Sequence, residues 1–214
     1  MNKPSNNNAP GITGTGRVEA FSDGVIAVII TIMVLELKVP HGATLADLLP
    51  AAPLLGSYAL SFIFIGAYWN HHHHLFHATE SINGVALWAN LHVLFWLSLI
   101  PFTCGWLNES HLGSIPVAIY GFVLFMCGTA FSILQKMLIA QNGPNSKLMK
   151  AVGTGPSRRD VIAMSTYVIA IPLAFYSPMA SMTCYVAVAA MYFVPDRRIE
   201  SALVASPMES GPQH

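Results

Sequence analysis

Long apolar stretches separated by short polar segments run through most of the chain. A helix needs roughly 20 residues to cross the hydrocarbon core of a bilayer. The pattern therefore predicts an all-α integral membrane protein whose apolar stretches cross the membrane as helices. The stretches lie at about 18–38, 48–69, 82–107, 114–138, 161–176 and 178–194.

The last two stretches pose a choice between one helix and two. Residues 161–194 contain no charged side chain and are interrupted only by "YSPMAS", which includes Pro178. One helix over these residues is about 51 Å long, well beyond a hydrocarbon core of about 30 Å. A tight hairpin of two short spans fits better, which predicts six transmembrane helices.

Basic residues support this count, since cytosolic loops of membrane proteins carry an excess of Lys and Arg. With six spans and an inside N-terminus, Lys38 alone of the ten basic residues lies outside. Five spans would put Arg197 and Arg198 on the wrong side. Both termini are therefore expected in the cytosol, together with nine basic residues: Lys3, Arg17, Lys136, Lys147, Lys150, Arg158, Arg159, Arg197 and Arg198.

The segments outside the spans are polar. Residues 1–16 are rich in Asn, Gly and Pro and lack the basic region and hydrophobic core of a signal peptide, which predicts a disordered cytosolic tail. Residues 140–160 form the main cytosolic linker, and residues 195–214 a polar cytosolic tail. A single transmembrane domain is expected over 17–194.

Composition agrees with a membrane protein. Hydrophobic residues make up 54% of the chain and charged residues 9%, and the mean hydropathy is +0.54, too apolar for a soluble domain. The formal net charge is zero and no long basic block is present, so no nucleic-acid partner is expected. Three cysteines without CxxC spacing predict neither a disulfide framework nor a zinc site.

The first helix begins with four charged or polar residues, Arg17, Glu19, Ser22 and Asp23. Further along, Val28, Ile32 and Leu35 recur at helical spacing with Thr31 close to the same face. These side chains would form apolar rings if identical helices met at an axis. From composition alone, ordinary helix packing with the charges at the membrane interface is the simpler interpretation.

Three blocks of sequence stand out. The first is Arg17-xxx-Phe21-Ser22-Asp23 followed by "GVIAVIITIMVLEL"; the others are "YWNHHHHLFH" (68–77) and "LWANLHVLFWLSLIPFTCGWLNE" (87–109). Together they resemble the transmembrane protein 175 family of potassium-selective channels. The resemblance implies six spans per subunit, a homotetramer in the lipid bilayer and first helices that line a central pore. It also implies the plasma membrane of a prokaryote.

Site residues follow from the resemblance. The family's hydrophobic constriction falls on Val28, with Ile32 and Leu35 further along the helix and the Thr31 hydroxyl beside the permeating ion. Val28 is one methylene smaller than the usual Ile or Leu. The chain has no TVGYG filter, so a preference for potassium would come from its easier dehydration in an apolar ring. Glu36 near the outer mouth would concentrate cations. No cofactor is expected besides the permeating potassium ions.

The polar start of the first helix is implied to be structural. The resemblance suggests a packing and hydrogen-bond network of Arg17, Phe21, Ser22, Asp23, His72 and His73. Arg17 and Asp23 are six residues apart, so they are not expected to pair within one helix. In the third stretch, Asn90 and His92 are expected to hydrogen-bond between helices and Pro101 to kink the helix.

The histidine block leaves other functions open. Consecutive residues on a helix are rotated by about 100°, so His71 to His74 cannot converge on one metal ion. Only the pairs His73/His77 and His74/His77 share a face, with Glu80 as the local carboxylate. No metal site or catalytic role is therefore expected. The alternatives are an integral-membrane metal-binding protein or metalloenzyme using His71–His77, and a secondary transporter.

Overall fold

The computed structural model describes residues 14–40, 42–152, 155 and 157–193, and this part of the chain contains helices, turns and loops without a β-strand. The predicted C-terminal tail and all but the last three residues of the predicted N-terminal tail lie outside the described residues. The all-α prediction is thus confirmed for the described chain. The α-helices are α1 (Thr15–Met33), α2 (Leu45–Leu48), α3 (Ala52–His77), α4 (Gly84–Ser98), α5 (Ile100–Glu109), α6 (Ser114–Asn142), α7 (Lys147–Val152), α8 (Arg158–Leu173) and α9 (Pro178–Phe193).

Four helical runs in the described chain are long and apolar enough to cross a membrane: Thr15–Glu36, Leu45–His77, Gly84–Glu109 and Ser114–Asn142. Helix α9 is also apolar but shorter. Helices α8 and α9 pack against each other and are joined by residues 174–177. The chain is therefore a multi-pass helical membrane protein.

The third apolar stretch is divided into α4 and α5 at Leu99. Pro101 stands in the first turn of α5, where its missing N–H removes no helical hydrogen bond. Its ring is incompatible with a straight helix through the preceding turn. The backbone N–H of Leu99 instead donates to the carbonyl of Trp96 over 3.2 Å in a tighter turn. The break between α4 and α5 thus lies two residues before Pro101, where a kink was predicted.

Contacts between helix ends show that successive long helices alternate in direction. At one end of the bundle, Lys38 after α1 forms an ion pair of 3.3 Å with Glu109 at the end of α5. At the other end, the backbone N–H groups of Glu80 and Ser81, after α3, both donate to Asn142 Oδ1 at the end of α6 over 3.1 Å.

Helices α8 and α9 are tied at this second end. Ser157 and Asp160 form a capping box that satisfies the first amides of α8. The Tyr192 hydroxyl near the end of α9 donates to Asp160 Oδ1 over 2.9 Å. The start of α8 and the end of α9 therefore lie together.

The core of the bundle is centred on α6, which packs against α4, α5, α8 and α9. Tyr120 on α6 and Tyr185 on α9 are fully buried. Gly121 allows this packing, because a side chain there would collide with the Tyr185 hydroxyl. Helix α1 lies to one side and contacts α3, α4 and α5, so one face of α1 remains uncovered.

Candidate pore helix and its polar anchor

Helix α1 has one buried face and one open face. The buried side chains recur every three or four residues and are Val18, Ser22, Ile26, Ile29 and Met33. The opposite face is formed by Phe21, Val28, Thr31, Ile32 and Leu35, which we call the open stripe. Val28 is 54% exposed, Ile32 46% and Leu35 79%. The four residues predicted to line a pore therefore all lie on the uncovered face of the first helix.

Thr31 is the polar member of the open stripe. Its hydroxyl donates to the backbone carbonyl of Val28 over 2.9 Å. Because the hydroxyl proton is used inside the helix, the lone pairs of the oxygen are what Thr31 offers to its surroundings. The stripe thus combines branched apolar side chains with one oxygen acceptor.

Two polar contacts one helical turn apart join α1 to α3. Glu19 Oε1 lies 2.9 Å from His73 Nδ1, and the indole N–H of Trp69 donates to Asp23 Oδ1 over 3.0 Å. Glu19 and Asp23 are four residues apart on α1, and Trp69 and His73 are four residues apart on α3. The Trp69 and His73 rings stack with centroids 5.9 Å apart. We call these contacts the α1–α3 ladder. Two rungs fix the rotation of α1 about its own axis as well as its position.

A buried chain of hydrogen bonds joins α1 to α3 and α4. His72 and Asn90 are each 1% exposed, and His72 Nε2 lies 2.8 Å from Asn90 Oδ1. Asn90 Nδ2 donates to Ser22 Oγ over 2.8 Å, and Ser22 donates to the Val18 carbonyl over 2.8 Å. Since Asn90 Oδ1 can only accept, His72 carries a proton on Nε2. Within the described chain His72 Nδ1 has no hydrogen-bond partner.

The predicted polar network is thus partly assembled. Ser22, Asp23, His72 and His73 take part in the ladder or the buried chain. Phe21 is 54% exposed on the open stripe. Arg17 is exposed at the start of α1, and in the described chain it forms no ion pair with Asp23.

Three partners in this network were not predicted as site residues: Glu19, Trp69 and Asn90. The i,i+4 spacing of Glu19 and Asp23 was a usable signal, since it places both carboxylates on one face of α1. Asn90 bonds between helices as expected. The Nε2 of His92 accepts from the indole N–H of Trp96, 2.8 Å away on the same helix, and within the described chain His92 has no hydrogen bond to another helix.

The C-terminal end of the first helical run, at Glu36, lies against α5. The Glu36 carboxylate lies 2.7 Å from the position that a side-chain Cβ at Gly105 would occupy. The absence of a side chain at Gly105 therefore makes room for Glu36. This carboxylate is drawn toward the packed side of α1 and away from the open stripe.

The consecutive histidines point to different neighbours. His71 packs edge to face against Phe131 and Tyr192, while His72 bonds to α4 and His73 to α1. Among the described residues, no group of three or more His, Cys, Asp or Glu side chains is placed to hold a metal ion.

This geometry defines a class of protein, namely a multi-pass helical membrane protein. Its first helix is held by polar contacts on one side and exposes an apolar face on the other. The family model described as "Endosomal/lysosomal potassium channel TMEM175" matches residues 17–101. A potassium channel from Chryseobacterium sp. (strain P1-3) is 48% identical over 188 residues, which cover 88% of this chain and 97% of that protein. The chain therefore belongs to the TMEM175 family, and the resemblance found in the sequence is confirmed.

Other relatives extend the similarity over most of the chain. A potassium channel from Chamaesiphon minutus is 28% identical over 204 residues, 86% of this chain and 96% of that protein. The crystal structure of a lysosomal potassium-selective channel TMEM175 homolog from Chamaesiphon minutus matches with a TM-score of 0.73 and 25% identity, over 84% of this chain and 96% of that chain. These relatives are channels and not enzymes, and they give no support to a metalloenzyme or a transporter.

Proposed function

We propose that this protein is a potassium channel that conducts ions along the open stripe of its first helix. The main observation behind this proposal is the open stripe, an uncovered apolar face that carries one hydroxyl. The opposite face of α1 packs against three helices. The names of its relatives as potassium channels support the choice of ion.

Several copies are needed to enclose a path, and we propose a homotetramer. Packed helices lie about 8–10 Å apart, so four first helices around an axis would stand roughly 6–7 Å from it. With a backbone radius of about 2.3 Å, the remaining space matches branched apolar side chains around a narrow lumen. At the same spacing, three helices would stand roughly 5–6 Å from the axis and leave less room for a lumen, and six would leave a wide opening.

Val28 is proposed as the narrowest ring, with Ile32 and Leu35 as further apolar rings toward the outer end. An apolar ring resists wetting, and an ion that crosses it gives up part of its hydration shell. Potassium holds its water less tightly than sodium, so the ring favours potassium. The Thr31 oxygen, one turn from Val28, would return a ligand to the partly dehydrated ion.

The proposed arrangement has one transmembrane domain over 17–194, six spans, both ends in the cytosol and a place in the plasma membrane. Helix α1 begins, and α3 and α6 end, at the same end of the bundle. Of the seven Lys and Arg residues in the described chain, all but Lys38 belong to this end. Such an asymmetry supports a cytosolic position for it.

The test is the reversal potential of the purified protein in planar bilayers with opposed potassium and sodium gradients. A reversal potential near the potassium equilibrium potential is expected. Native mass spectrometry of the same preparation should show four copies. Absence of current from intact tetramers would refute conduction, and currents from an intact dimer would refute the tetramer alone.

A further inference from the structure

A second site lies away from the first helix, in a cavity between α3, α6, α8 and α9. The cavity has a volume of about 50 Å³. That space holds a few water molecules or one small organic group. It lies at the end of the bundle where α8 begins and α9 ends, and none of its lining residues belongs to α1.

Aromatic rings form much of the cavity wall: Phe64, Tyr68, Phe131, Tyr167 and Tyr192. Tyr68 and Phe131 pack edge to face with centroids 6.0 Å apart. The faces of such rings carry negative partial charge and attract cations, most strongly where water is excluded. An aromatic enclosure of this kind suits an organic cation.

The polar groups in the wall include one carboxylate. Among the described lining residues, Asp160 alone carries a full charge at neutral pH. Its Oδ1 accepts from Tyr192 and its Oδ2 from the amide of Ser157 over 3.0 Å. A carboxylate has about four acceptor positions, and these two bonds use two of them.

Two phenol groups add to this set. Tyr167 is 3% exposed, and neither its hydroxyl nor that of Tyr68 has a hydrogen-bond partner within the described residues. His71 Nδ1 lies 2.7 Å from the Ala67 carbonyl and so carries a proton there. This leaves Nε2 as an acceptor in the neutral ring. The cavity thus has a carboxylate, unpartnered phenols and aromatic walls.

We propose that this cavity binds a small organic ammonium ion, as a free amine or as the headgroup of a lipid. The carboxylate balances the charge and the rings replace the water around the alkyl groups. Potassium is a poorer fit, since an alkali ion needs several oxygen ligands in place of its hydration shell and the wall is mainly carbon. The site is therefore distinct from the conduction path.

The experiment uses the purified full-length assembly in detergent at constant potassium chloride. Binding of tetramethylammonium is measured by isothermal titration calorimetry or saturation-transfer NMR. tert-Butanol, a neutral molecule of similar shape, is the parallel probe. Saturable binding of tetramethylammonium is expected, with tert-butanol at least tenfold weaker.

Two variants locate the site. Asp160→Asn removes the charge and Phe131→Leu removes a ring while keeping apolar bulk, and each should weaken tetramethylammonium binding roughly tenfold. Phe175→Leu, at a ring that is 61% exposed and outside the cavity, and Val28→Ala should leave it unchanged. Because Asp160 also caps α8, Phe131→Leu decides the result if Asp160→Asn lowers the yield of folded protein.

Three results would overturn the proposal: no saturable binding to the parent protein, equal binding of tert-butanol, or loss of binding in Val28→Ala but not in Phe131→Leu. Lipid nanodiscs then identify the source of the ammonium group. Weaker apparent affinity in phosphatidylcholine than in digalactosyldiacylglycerol, a neutral lipid without an ammonium group, supports the site with a lipid headgroup as its occupant. Equal affinity supports the site with a soluble amine.

Discussion

Ser22 and Asp23 are neighbours in the sequence, yet their side chains bond to different helices. Ser22 accepts from Asn90 on α4, and Asp23 accepts from Trp69 on α3. Adjacent residues on a helix are rotated by about 100°, so each side chain meets a separate partner. Ser22 and Asp23 therefore anchor α1 to two other helices, and the open stripe takes no part in this anchoring.

Val28→Ala should enlarge the proposed constriction. The change removes apolar carbon worth about 0.8 kcal/mol of transfer free energy per methylene, and it does so once in every subunit. The ring wets more readily, so single-channel conductance should rise and the permeability ratio of potassium to sodium should fall.

Reversal potentials and single-channel amplitudes in planar bilayers measure this change. Val161→Ala is the matched control, because Val161 lies on α8 and is 51% exposed against 54% for Val28. An unchanged reversal potential and conductance in Val28→Ala would remove Val28 from the constriction.

Asn90→Ala should destabilise the protein, because it breaks the buried chain in the middle. His72 and Ser22 would each lose a partner, and an unsatisfied buried polar group costs about 1–3 kcal/mol. The melting temperature of the purified protein is expected to fall by several degrees. Asn70→Ala, at an exposed asparagine on α3, should have little effect. Equal melting temperatures for the two variants would contradict a supporting role for Asn90.

At the scale of the element, α1 is defined by the difference between its two faces. One face carries the buried side chains, the α1–α3 ladder and the buried chain, and the other carries the open stripe. A rotation of α1 by one residue position would break both rungs and turn Val28 away from the open side. The ladder therefore sets which residues can face a pore.

A double-mutant cycle on Glu19→Gln and His73→Gln tests the ladder. The two changes should be non-additive in the free energy of unfolding by about 0.5–1 kcal/mol, since the pair is only half-buried. The double variant should also show altered channel open probability, because α1 loses one rung of its support.

The matched control for this cycle is Lys38→Gln with Glu109→Gln. This ion pair has side-chain exposures of 76% and 69%, and solvent should reduce its coupling to nearly nothing. Additive effects of Glu19→Gln and His73→Gln on both stability and gating would exclude an energetic role for the ladder.

At the scale of the whole molecule, the polar contacts at the bundle ends hold loops that are distant in sequence. Asn142 Oδ1 accepts hydrogen bonds from the backbone N–H groups of Glu80 and Ser81, which follow α3. Its Nδ2 donates to the Ser81 carbonyl over 3.2 Å. These contacts replace water for backbone groups that leave a helix near a membrane surface. They also fix which loops share a side.

Cysteine labelling in intact cells tests the two sides. Lys38→Cys should react with a membrane-impermeant maleimide added outside, and Lys147→Cys should react only after permeabilisation. The parent protein is the control, since Cys104 and Cys127 are buried and Cys184 is half-buried. Labelling of Lys147→Cys in intact cells would reject the proposed orientation.

The sequence by itself determined the all-helical membrane fold and the family. Long apolar runs leave few other ways to satisfy the backbone in lipid, and the Arg17-xxx-Phe21-Ser22-Asp23 block identified the relatives. The sequence also placed Val28, Thr31, Ile32 and Leu35 close together on one face of the first helix, since helical periodicity is a local property. The hairpin at Pro178 was predicted from the length of the apolar stretch and from the placement of the basic residues.

Only the tertiary structure decided which polar groups meet. The contacts of Glu19 with His73 and of Asn90 with both His72 and Ser22 join residues far apart in the chain, and no local pattern fixes which faces of two helices pack together. The cavity around Tyr167 is likewise formed by four helices. The reason is physical: periodicity assigns a residue to a face of its own helix, and the packing of other helices determines what that face contacts.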